Sequence, residues 1–233
     1  MDTPDYETEK AKMLRGELYR AFTPGLITAR HRCKVAVHAF NNAGIVSRRR
    51  QVELWRAIVE DARRLPPPAP TPEEDEALFE HEPWVESPIR MDYGFNVSVG
   101  AGTFINFNCT IIDTCRVVIG ERCLFGPNVS LYTGLHPLDG EVRNGTAGPE
   151  WGKEIHIGDD CWLAGDVKIL AGVTVGKGST VGAGSVVTKV SYLRFFMVME
   201  VRLLMAVVGR TAVLCGGWES GTGFEVSQGE SAL

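Results

Sequence analysis

The sequence predicts a mainly β protein in which a parallel β-helix, a solenoid of six-residue repeats, follows a small helical segment. The first observation behind this prediction is an aliphatic residue at every sixth position through much of residues 86–189. The second is helical patterning with cap residues across residues 5–65. The third is a proline-rich and acidic stretch, residues 66–85, which we interpret as a linker between the two.

The helical segment carries two start signals. Thr23 precedes Pro24, which suits an N-cap followed by proline at the first helical position, and Ser47 can cap a further helix. Three apolar residues are placed on one helical face: Leu14, Leu18 and Tyr19. Three basic residues follow Thr23, and we interpret them as a solvated helix face rather than a binding patch: Arg30, Arg32 and Lys34.

Prolines dominate the start of the linker: Pro66, Pro67, Pro68, Pro70 and Pro72. Proline fixes its own φ and lacks an N–H group, so this density excludes a helix and favours an extended, stiff chain.

The repeat consists of three aliphatic series. They are Val99, Ile105 and Ile111; Ile119, Phe125 and Leu131; and Ile157, Leu163, Ile169, Val175, Val181 and Val187. A small or β-branched residue stands four positions after most of them: Thr103, Cys109, Cys123, Val129, Cys161, Val167, Val173, Ser179 and Ser185. A period of six suits a short strand followed by a tight turn, with both residue sets facing inward and three units completing a triangular coil. The repeats suffice for about five coils.

Cysteine placement argues for packing rather than chemistry. Cys109, Cys123 and Cys161 occupy the small inward position, which indicates core residues. The cysteines show no C-x-x-C pair, so neither a zinc site nor a disulfide framework is expected. The net charge of −5 gives no indication of nucleic-acid binding, and a polar, acidic start lacks a secretory pattern. We therefore expect a cytoplasmic protein with no metal, no nucleic-acid partner and no membrane partner.

The repeat breaks in the loop 132–154, where function is expected because irregular loops on a rigid scaffold often carry it. The loop contains Tyr132-Thr133-Gly134-Leu135-His136-Pro137-Leu138-Asp139 and later Glu150-Trp151-Gly152-Lys153. His136 is the natural candidate for a general base, because the usual pKa of histidine suits proton abstraction near neutral pH.

Several stretches together resemble the maltose, galactoside and nodulation O-acetyltransferases, which are hexapeptide-repeat transferases. They include Lys12-Met13-Leu14-Arg15-Gly16-Glu17-Leu18-Tyr19, Asn106-Phe107-Asn108, Thr133 to Asp139, Ile157-Gly158-Asp159-Asp160-Cys161-Trp162 and Val181 to Lys189. The resemblance covers about residues 6 to 189. It implies a left-handed β-helix, a homotrimer with active sites between neighbouring solenoids, and acetyl-CoA as acetyl donor to a sugar-like hydroxyl.

The resemblance also implies roles for individual residues. His136 matches the family's loop histidine, and Asn106 matches an active-site asparagine, with a turn amide within the solenoid as the alternative interpretation. Glu150 orients His136, binds a sugar hydroxyl or is a solvated loop carboxylate. The positions that fall at or beside acceptor contacts are Asp92, Asp113 and Phe104, of which the two aspartates can equally cap turns. The positions that fall near the cofactor are Ala183, Thr188, Lys189, Trp162 and Asp166.

Some residues depart from the family pattern. Galactoside enzymes carry an aspartate, a tyrosine and an aspartate where this sequence has Ala21, Phe104 and Thr114, which argues against galactoside as the acceptor. Asp166 falls where the family has a small residue, and a carboxylate there is unexpected.

The largest departure is the tail, residues 190–233, where the six-residue register stops after Lys189. Its apolar start is interrupted by charges too often for a membrane helix, and it can form an amphipathic helix. Lys189-Val190-Ser191 can be encoded as AAG-GTA-AGT, the consensus start of an intron. We therefore hypothesise that the tail is not native to the fold.

Two alternative functions stay open from the sequence. The first is a serine or amino-sugar acyltransferase on the same scaffold. The second is a catalytically impaired solenoid, because the altered tail replaces the closing coil that the family has. The helical start and the His136-Pro137-Leu138-Asp139 segment favour O-acetylation over the first alternative.

Overall fold

The computed structural model describes residues 5–188 together with the backbone of two strands at 204–208 and 211–215. Four helices precede or flank a parallel β-solenoid, and a fifth lies in the loop that interrupts it. The first four are α1 (Tyr6–Leu14), α2 (Pro24–Asn41), α3 (Arg48–Val59) and α4 (Pro72–Ala77).

The solenoid has three faces, and each face is a parallel sheet whose strands come from successive coils. The first face contains β1 (Trp84–Val85), β4 (Phe104–Ile105), β7 (Leu124–Phe125), β12 (Trp162–Leu163) and β15 (Thr180–Val181). The second contains β2 (Ile89–Met91), β5 (Cys109–Ile112), β8 (Ser130–Tyr132), β13 (Lys168–Leu170) and β16 (Val186–Val187). The third contains β3 (Val97–Val99), β6 (Val117–Ile119), β11 (Ile155–Ile157) and β14 (Thr174–Val175). The predicted solenoid of about five coils is confirmed.

The inward positions are those that the repeat predicts. Ile105 pairs in register with Val85 on one side and Phe125 on the other, and all three are buried. The small series four positions later is also buried, including Cys109, Cys123 and Cys161. Of the aliphatic series, Val99 is only partly buried. In-register stacking therefore turns each repeat position into a continuous apolar column.

The three corners between the faces have different lengths. The first corner joins the first and second faces (106–108, 126–128, 164–166 and 182–184), and the third joins the third face to the next coil. The second corner joins the second and third faces. Five residues separate β2 from β3 there, but three separate β13 from β14, and the loop 133–154 leaves the solenoid at the same corner. The second corner is thus longer in the first three coils than in the last one.

The helical segment packs against the early coils. Cys33 and Phe40 of α2 and Trp55 of α3 belong to the same buried cluster as the inward residues of the solenoid. Asn41 fixes α2 to β2, because its side chain donates to the carbonyl of Ile89 at 2.8 Å and accepts from the N–H of Ile89 at 2.9 Å.

Three expectations for the helical segment and linker are wrong. Helix α1 ends at Leu14, so Leu18 and Tyr19 lie beyond it, with Leu18 exposed and Tyr19 buried. The linker is not free of helix, because α4 starts at Pro72. Proline is tolerated there since the first helical N–H needs no partner, and Thr71 and Glu74 add a capping box.

The third correction concerns the basic face of α2. Arg30 and Arg32 are half-buried and bond to the second corner and to α3. Arg30 donates to the Tyr93 hydroxyl, and Arg32 donates to the carbonyls of Tyr93 and Ile58. A helical pattern alone does not reveal that this face meets the solenoid.

Two strands of the tail are described. β17 (Leu204–Val208) and β18 (Thr211–Cys215) pair with each other antiparallel, so the helix expected for the tail is not formed in these strands. Lys189 and the rest of the tail lie outside the described residues. The hypothesis that the tail is not native to the fold concerns these residues and stays a prediction.

We predict that Leu131→Ala lowers the free energy of unfolding by about 3 kcal/mol, because it opens a cavity in a fully packed column. The same substitution at the exposed Leu78, just after α4, is the matched control and should cost less than about 0.5 kcal/mol. Thermal and urea unfolding measure both. Equal losses for the two variants would contradict the assignment of Leu131 to the core.

Candidate active site

A two-stranded ribbon forms the base of the loop that interrupts the solenoid. β9 (Gly134–Leu135) pairs antiparallel with β10 (Trp151–Gly152), with Leu135 opposite Trp151. His136 directly follows β9, and Glu150 directly precedes β10. The ribbon register therefore places His136 opposite Glu150. Beyond them the loop forms α5 (Gly140–Arg143), whose first turn is capped by the side chain of Asp139.

His136 and Glu150 form the central pair of the site. Nδ1 of His136 lies 4.0 Å from Oε2 of Glu150. The imidazole is 61% exposed, whereas the carboxylate is 18% exposed. The separation is longer than a direct hydrogen bond. The arrangement gives a solvent-facing imidazole backed by a half-buried carboxylate.

Glu150 is held from the opposite side by Tyr19. The two residues exchange backbone hydrogen bonds, with the N–H of Tyr19 donating to Glu150 at 2.9 Å and the N–H of Glu150 donating to Tyr19 at 3.0 Å. The Tyr19 hydroxyl also donates to Oε1 of Glu150. The segment after α1 thus forms an isolated antiparallel β-bridge with the loop, and it fixes the backbone and the side chain of Glu150 together.

Asp113 lies at the second corner, one coil before the loop, and is fully buried. Its carboxylate accepts from the N–H groups of Asp92 at 3.2 Å, Tyr93 at 2.9 Å and Gly94 at 2.7 Å. Burial raises the pKa of Asp113 to about 6, although the N–H donors of Tyr93 and Gly94 oppose the rise. Of the two sequence-based interpretations, the turn-capping one describes these contacts: Asp113 braces the backbone of the preceding coil and has no surface for an acceptor.

Asp92 stands above Asp113 at the same corner and is half-buried. Burial raises the pKa of Asp92 above its usual value; the nearby charges of Arg30 and Lys34 oppose that rise, and Glu150 adds to it. Asp92, Glu150 and the basic residues of α2 therefore share one electrostatic environment beneath the loop.

Most of the other sequence-predicted residues lie at the first corner or on the first face, whereas Thr188 follows β16 and starts the second corner of the last described coil. Asn106 starts the turn after β4, and its Oδ1 accepts from the N–H of Phe107 at 2.8 Å. Phe104 lies on β4 and is half-buried, and Trp162 on β12 is about half exposed. Ala183 and Thr188 are exposed in the last described coil. Lys189 lies outside the described residues.

The turn geometry accounts for Asp166. Its φ is 61°, in the left-handed region, and the equivalent residues of the other coils at the first corner are Asn108, Asn128 and Gly184, also at positive φ. Aspartate is among the few residues with a side chain that adopt this conformation without large strain. The turn thus requires one of these residue types, and aspartate satisfies it.

The candidate residues therefore form two groups on opposite edges of the second face. Asp92, His136 and Glu150 lie at the second corner, whereas Asn106 and Ala183 lie at the first. Strand β5 (Cys109–Ile112) spans the gap, which is roughly 13 Å for a four-residue strand. Within one chain the structure does not bring Asn106 and His136 together.

Sequence reasoning missed Tyr19, Tyr93 and Arg30 as parts of the site. The helical pattern assigns Tyr19 to a helix face and Arg30 to a solvated face, so it predicts no contact of either residue with the loop. The available signal was chemical: a buried tyrosine needs a hydrogen-bond partner for its hydroxyl. Within residues 5–188 no cluster of His, Cys, Asp and Glu has the geometry of a metal site. No helix in the described part of the chain is long and apolar enough to cross a bilayer.

Comparison with known proteins agrees with this architecture. The maltose acetyltransferase hexapeptide capping motif matches residues 12–62, and the bacterial transferase hexapeptide repeat matches residues 154–189. A Schizosaccharomyces pombe protein named as an acetyltransferase is 40% identical over 191 residues, which cover 78% of this chain and 83% of that protein.

Two solved structures extend the comparison. A maltose O-acetyltransferase from Clostridium difficile 630 superposes with a TM-score of 0.67 at 32% identity, over 91% of this chain and 98% of that one. A galactoside acetyltransferase in complex with coenzyme A superposes with a TM-score of 0.65 at 26% identity, over 88% of each chain. The fold and the loop site define a hexapeptide-repeat acetyltransferase. Within that class, the chain belongs to the family of maltose, galactoside and nodulation O-acetyltransferases, as the sequence predicted, and it is an enzyme.

We predict that Asp113→Asn destabilises the protein by about 1–3 kcal/mol, because the amide nitrogen cannot accept an N–H and leaves a buried donor unpaired. Because the folded-state pKa of Asp113, about 6, lies above the usual value near 3.9, the folded state binds the proton more tightly. The stability that this group adds is therefore full below about pH 4 and decreases as the pH rises towards about 6. Melting temperatures at pH 4.5 and 7 should show a larger difference between wild type and variant at the lower pH. A difference that does not change with pH would contradict the raised pKa.

Proposed function

We propose that this enzyme transfers an acetyl group from acetyl-CoA to a hydroxyl of a sugar or sugar-like acceptor, with His136 as the general base. The observation that carries this proposal is the placement of the exposed His136 imidazole opposite Glu150 on the loop ribbon. A histidine backed by a carboxylate is the usual arrangement of a general base, since the carboxylate fixes the ring and its tautomer.

The chemistry requires one proton to move twice. In the reacting complex the 4.0 Å gap closes, so that Nδ1–H of His136 donates to Oε2 of Glu150 and Nε2 is free to take the proton of the acceptor hydroxyl. The acceptor oxygen then attacks the acetyl thioester carbonyl directly, and a C–O bond forms as the C–S bond breaks. The imidazolium returns its proton to the departing thiolate, so His136 ends unchanged. Acetyl-CoA supplies the activated acetyl group.

The acceptor lies, in this proposal, at the second corner beneath the loop. Asp92 contributes a half-buried carboxylate that can accept from sugar hydroxyls. Ala21 and Thr114 are buried and carry no carboxylate. Neither can therefore take the place of the aspartates that the galactoside enzymes carry at these positions. This supports an acceptor other than a galactoside. We leave Asp113 out of the acceptor site because it is fully buried.

The active site is completed by a second chain. The residues assigned to acetyl-CoA lie at or near the first corner or at the end of the last described coil: Ala183, Thr188, Trp162 and Asp166, with Lys189 beyond the described residues. Ala183 would present backbone groups to the pantetheine amides, and Lys189 a cation to the nucleotide phosphates. Asn106 shares this corner. The first and second corners lie on opposite edges of the second face of one chain. In a homotrimer, Phe104 and the residues assigned to acetyl-CoA in one subunit would therefore meet His136 of the neighbouring subunit.

The proposed location of the enzyme is the cytoplasm. The five cysteines within residues 5–188 are buried and free, which suits a reducing compartment. Acetylation assays that follow CoA release with maltose, glucose, galactosides, serine and amino-sugars would test the acceptor class. Turnover with serine alone would overturn the sugar assignment, and no turnover with any acceptor would favour an impaired solenoid.

We predict that His136→Ala lowers kcat by about 10²- to 10⁴-fold, the usual scale for losing a positioned acid–base group. Affinity for acetyl-CoA, measured by calorimetry, should change little. His156→Ala is the matched control, since this half-exposed histidine lies on β11 and bonds to Glu154. A variant without His136 that keeps wild-type turnover would refute the assignment of the base.

We also predict that two inactive variants restore activity when they assemble together. Asn106→Ala and His136→Ala remove residues at opposite corners, so a mixed trimer contains some sites with both residues intact. Co-expression at equal ratio should recover about a quarter of wild-type turnover, since each site draws one corner from each of two chains. Light scattering checks that trimers form. No recovery in verified mixed trimers would place both residues in a single-chain site.

A further inference from the structure

We propose that Tyr19, supported by Tyr93 and Arg30, is a positioning group for catalysis: it holds the Glu150 carboxylate where it can orient His136. This inference rests on the proposed roles of His136 and Glu150. It assigns to the helical segment a part in the reaction, in addition to covering the early coils of the solenoid.

A chain of polar side chains connects α2 to the loop. Nη1 of Arg30 donates to the Tyr93 hydroxyl at 2.6 Å. The Tyr93 side chain in turn interacts electrostatically with that of Tyr19. The Tyr19 hydroxyl donates to Oε1 of Glu150, and the other carboxylate oxygen lies 4.0 Å from His136. The chain thus ends on the carboxylate that backs the base.

The donor direction along this chain is fixed by proton count. A guanidinium only donates, so the Tyr93 oxygen must accept from Arg30. Tyr19 has one hydroxyl proton and donates it to Glu150, so its oxygen can only accept from any further partner. Both hydrogen bonds, from Arg30 to Tyr93 and from Tyr19 to Glu150, therefore point towards Glu150. Oε1 is engaged by Tyr19, and Oε2 is left free to face the imidazole.

Burial keeps both phenols in their donating form. Tyr19 and Tyr93 are fully buried. Burial raises the pKa of Tyr93 to about 12, with the Arg30 charge opposing the rise, and it raises the pKa of Tyr19 far above its usual value. Neither hydroxyl ionises in the working range of the enzyme, so the chain is a fixed set of dipoles rather than a proton store.

Several contacts hold the backbone around Tyr19 in place, so that Tyr19 can keep the Glu150 carboxylate in position. The Cys115 thiol donates to the carbonyl of Met13 at 3.0 Å, and the Arg20 guanidinium donates to the carbonyl of Ala147. Gly16 approaches Gly152 so closely that a side chain at position 16 would reach the carbonyl oxygen of Gly152 at 2.8 Å. The segment 13–20 is therefore bonded to the loop and to its corner at several points, and Tyr19 has little freedom to move away from Glu150.

The test is a double-mutant cycle between Tyr19→Phe and Glu150→Ala, measured as kcat and as KM for acetyl-CoA. Tyr19→Phe should lower kcat about 10-fold, as expected for the loss of one hydrogen bond to a charged group, and leave KM for acetyl-CoA unchanged. In the Glu150→Ala background the same change should have no further effect on kcat, because Tyr19 acts only through that carboxylate. Tyr93→Phe should lower kcat in the same direction by a smaller factor.

Tyr6→Phe is the matched control, since it removes a hydroxyl from the same helical segment outside the chain of bonds. It should leave kcat unchanged. The inference would be overturned if Tyr19→Phe lowered kcat by the same factor in the wild type and in the Glu150→Ala variant. It would also be overturned if a folded Tyr19→Phe trimer had the kcat of the wild type. If Tyr19→Phe does not fold, the Tyr93→Phe cycle with Glu150→Ala decides on the same criterion.

The outcomes separate this inference from the proposed function. Full activity of His136→Ala or Glu150→Ala would remove the proposed base or its partner. Loss of activity in both of those variants, with wild-type kcat in Tyr19→Phe, would leave the proposed function standing and refute only the positioning role.

Discussion

Each coil of the solenoid hydrogen-bonds in register with the coils beside it, and this pairing constrains the remainder of the molecule. Ile105 must lie between Val85 and Phe125, and every corner must turn within a few residues. The turns at the first corner accordingly use residues that accept positive φ, from Asn108 to Asp166. A column of equivalent positions runs along each face and each corner. Function can then be added only where the register permits extra chain.

The second corner is where extra chain is permitted. Compared with the last coil, it contains two additional residues in the first coil, one in the second and the loop 133–154 in the third. Expansion leaves backbone N–H groups without strand partners, and the buried carboxylate of Asp113 takes up three of them. A buried carboxylate is costly unless it is bonded in this way. The buried carboxylate and the unpaired backbone N–H groups of this corner thus satisfy each other.

The loop itself would be mobile if only its two ends held it. The β9–β10 ribbon closes its base, and a β-bridge from Tyr19 adds a third contact beside Glu150. These contacts fix the long polar loop at one point, next to His136, and leave α5 and the tip exposed. The loop is therefore held most firmly around His136 and Glu150.

The sequence by itself determined the repeat, the number of coils, the inward residues and the position of the loop with His136. These are periodic or local features, because a six-residue unit carries its own strand, turn and inward side chains. The tertiary structure alone decided that Tyr19 meets Glu150 across more than a hundred residues, that Arg30 faces Tyr93, and that Asp113 braces a corner. It also decided that Asn106 and His136 lie on opposite edges of one face. These contacts depend on how the helical segment packs against the coils, and the spacing of residues along the sequence does not specify that packing.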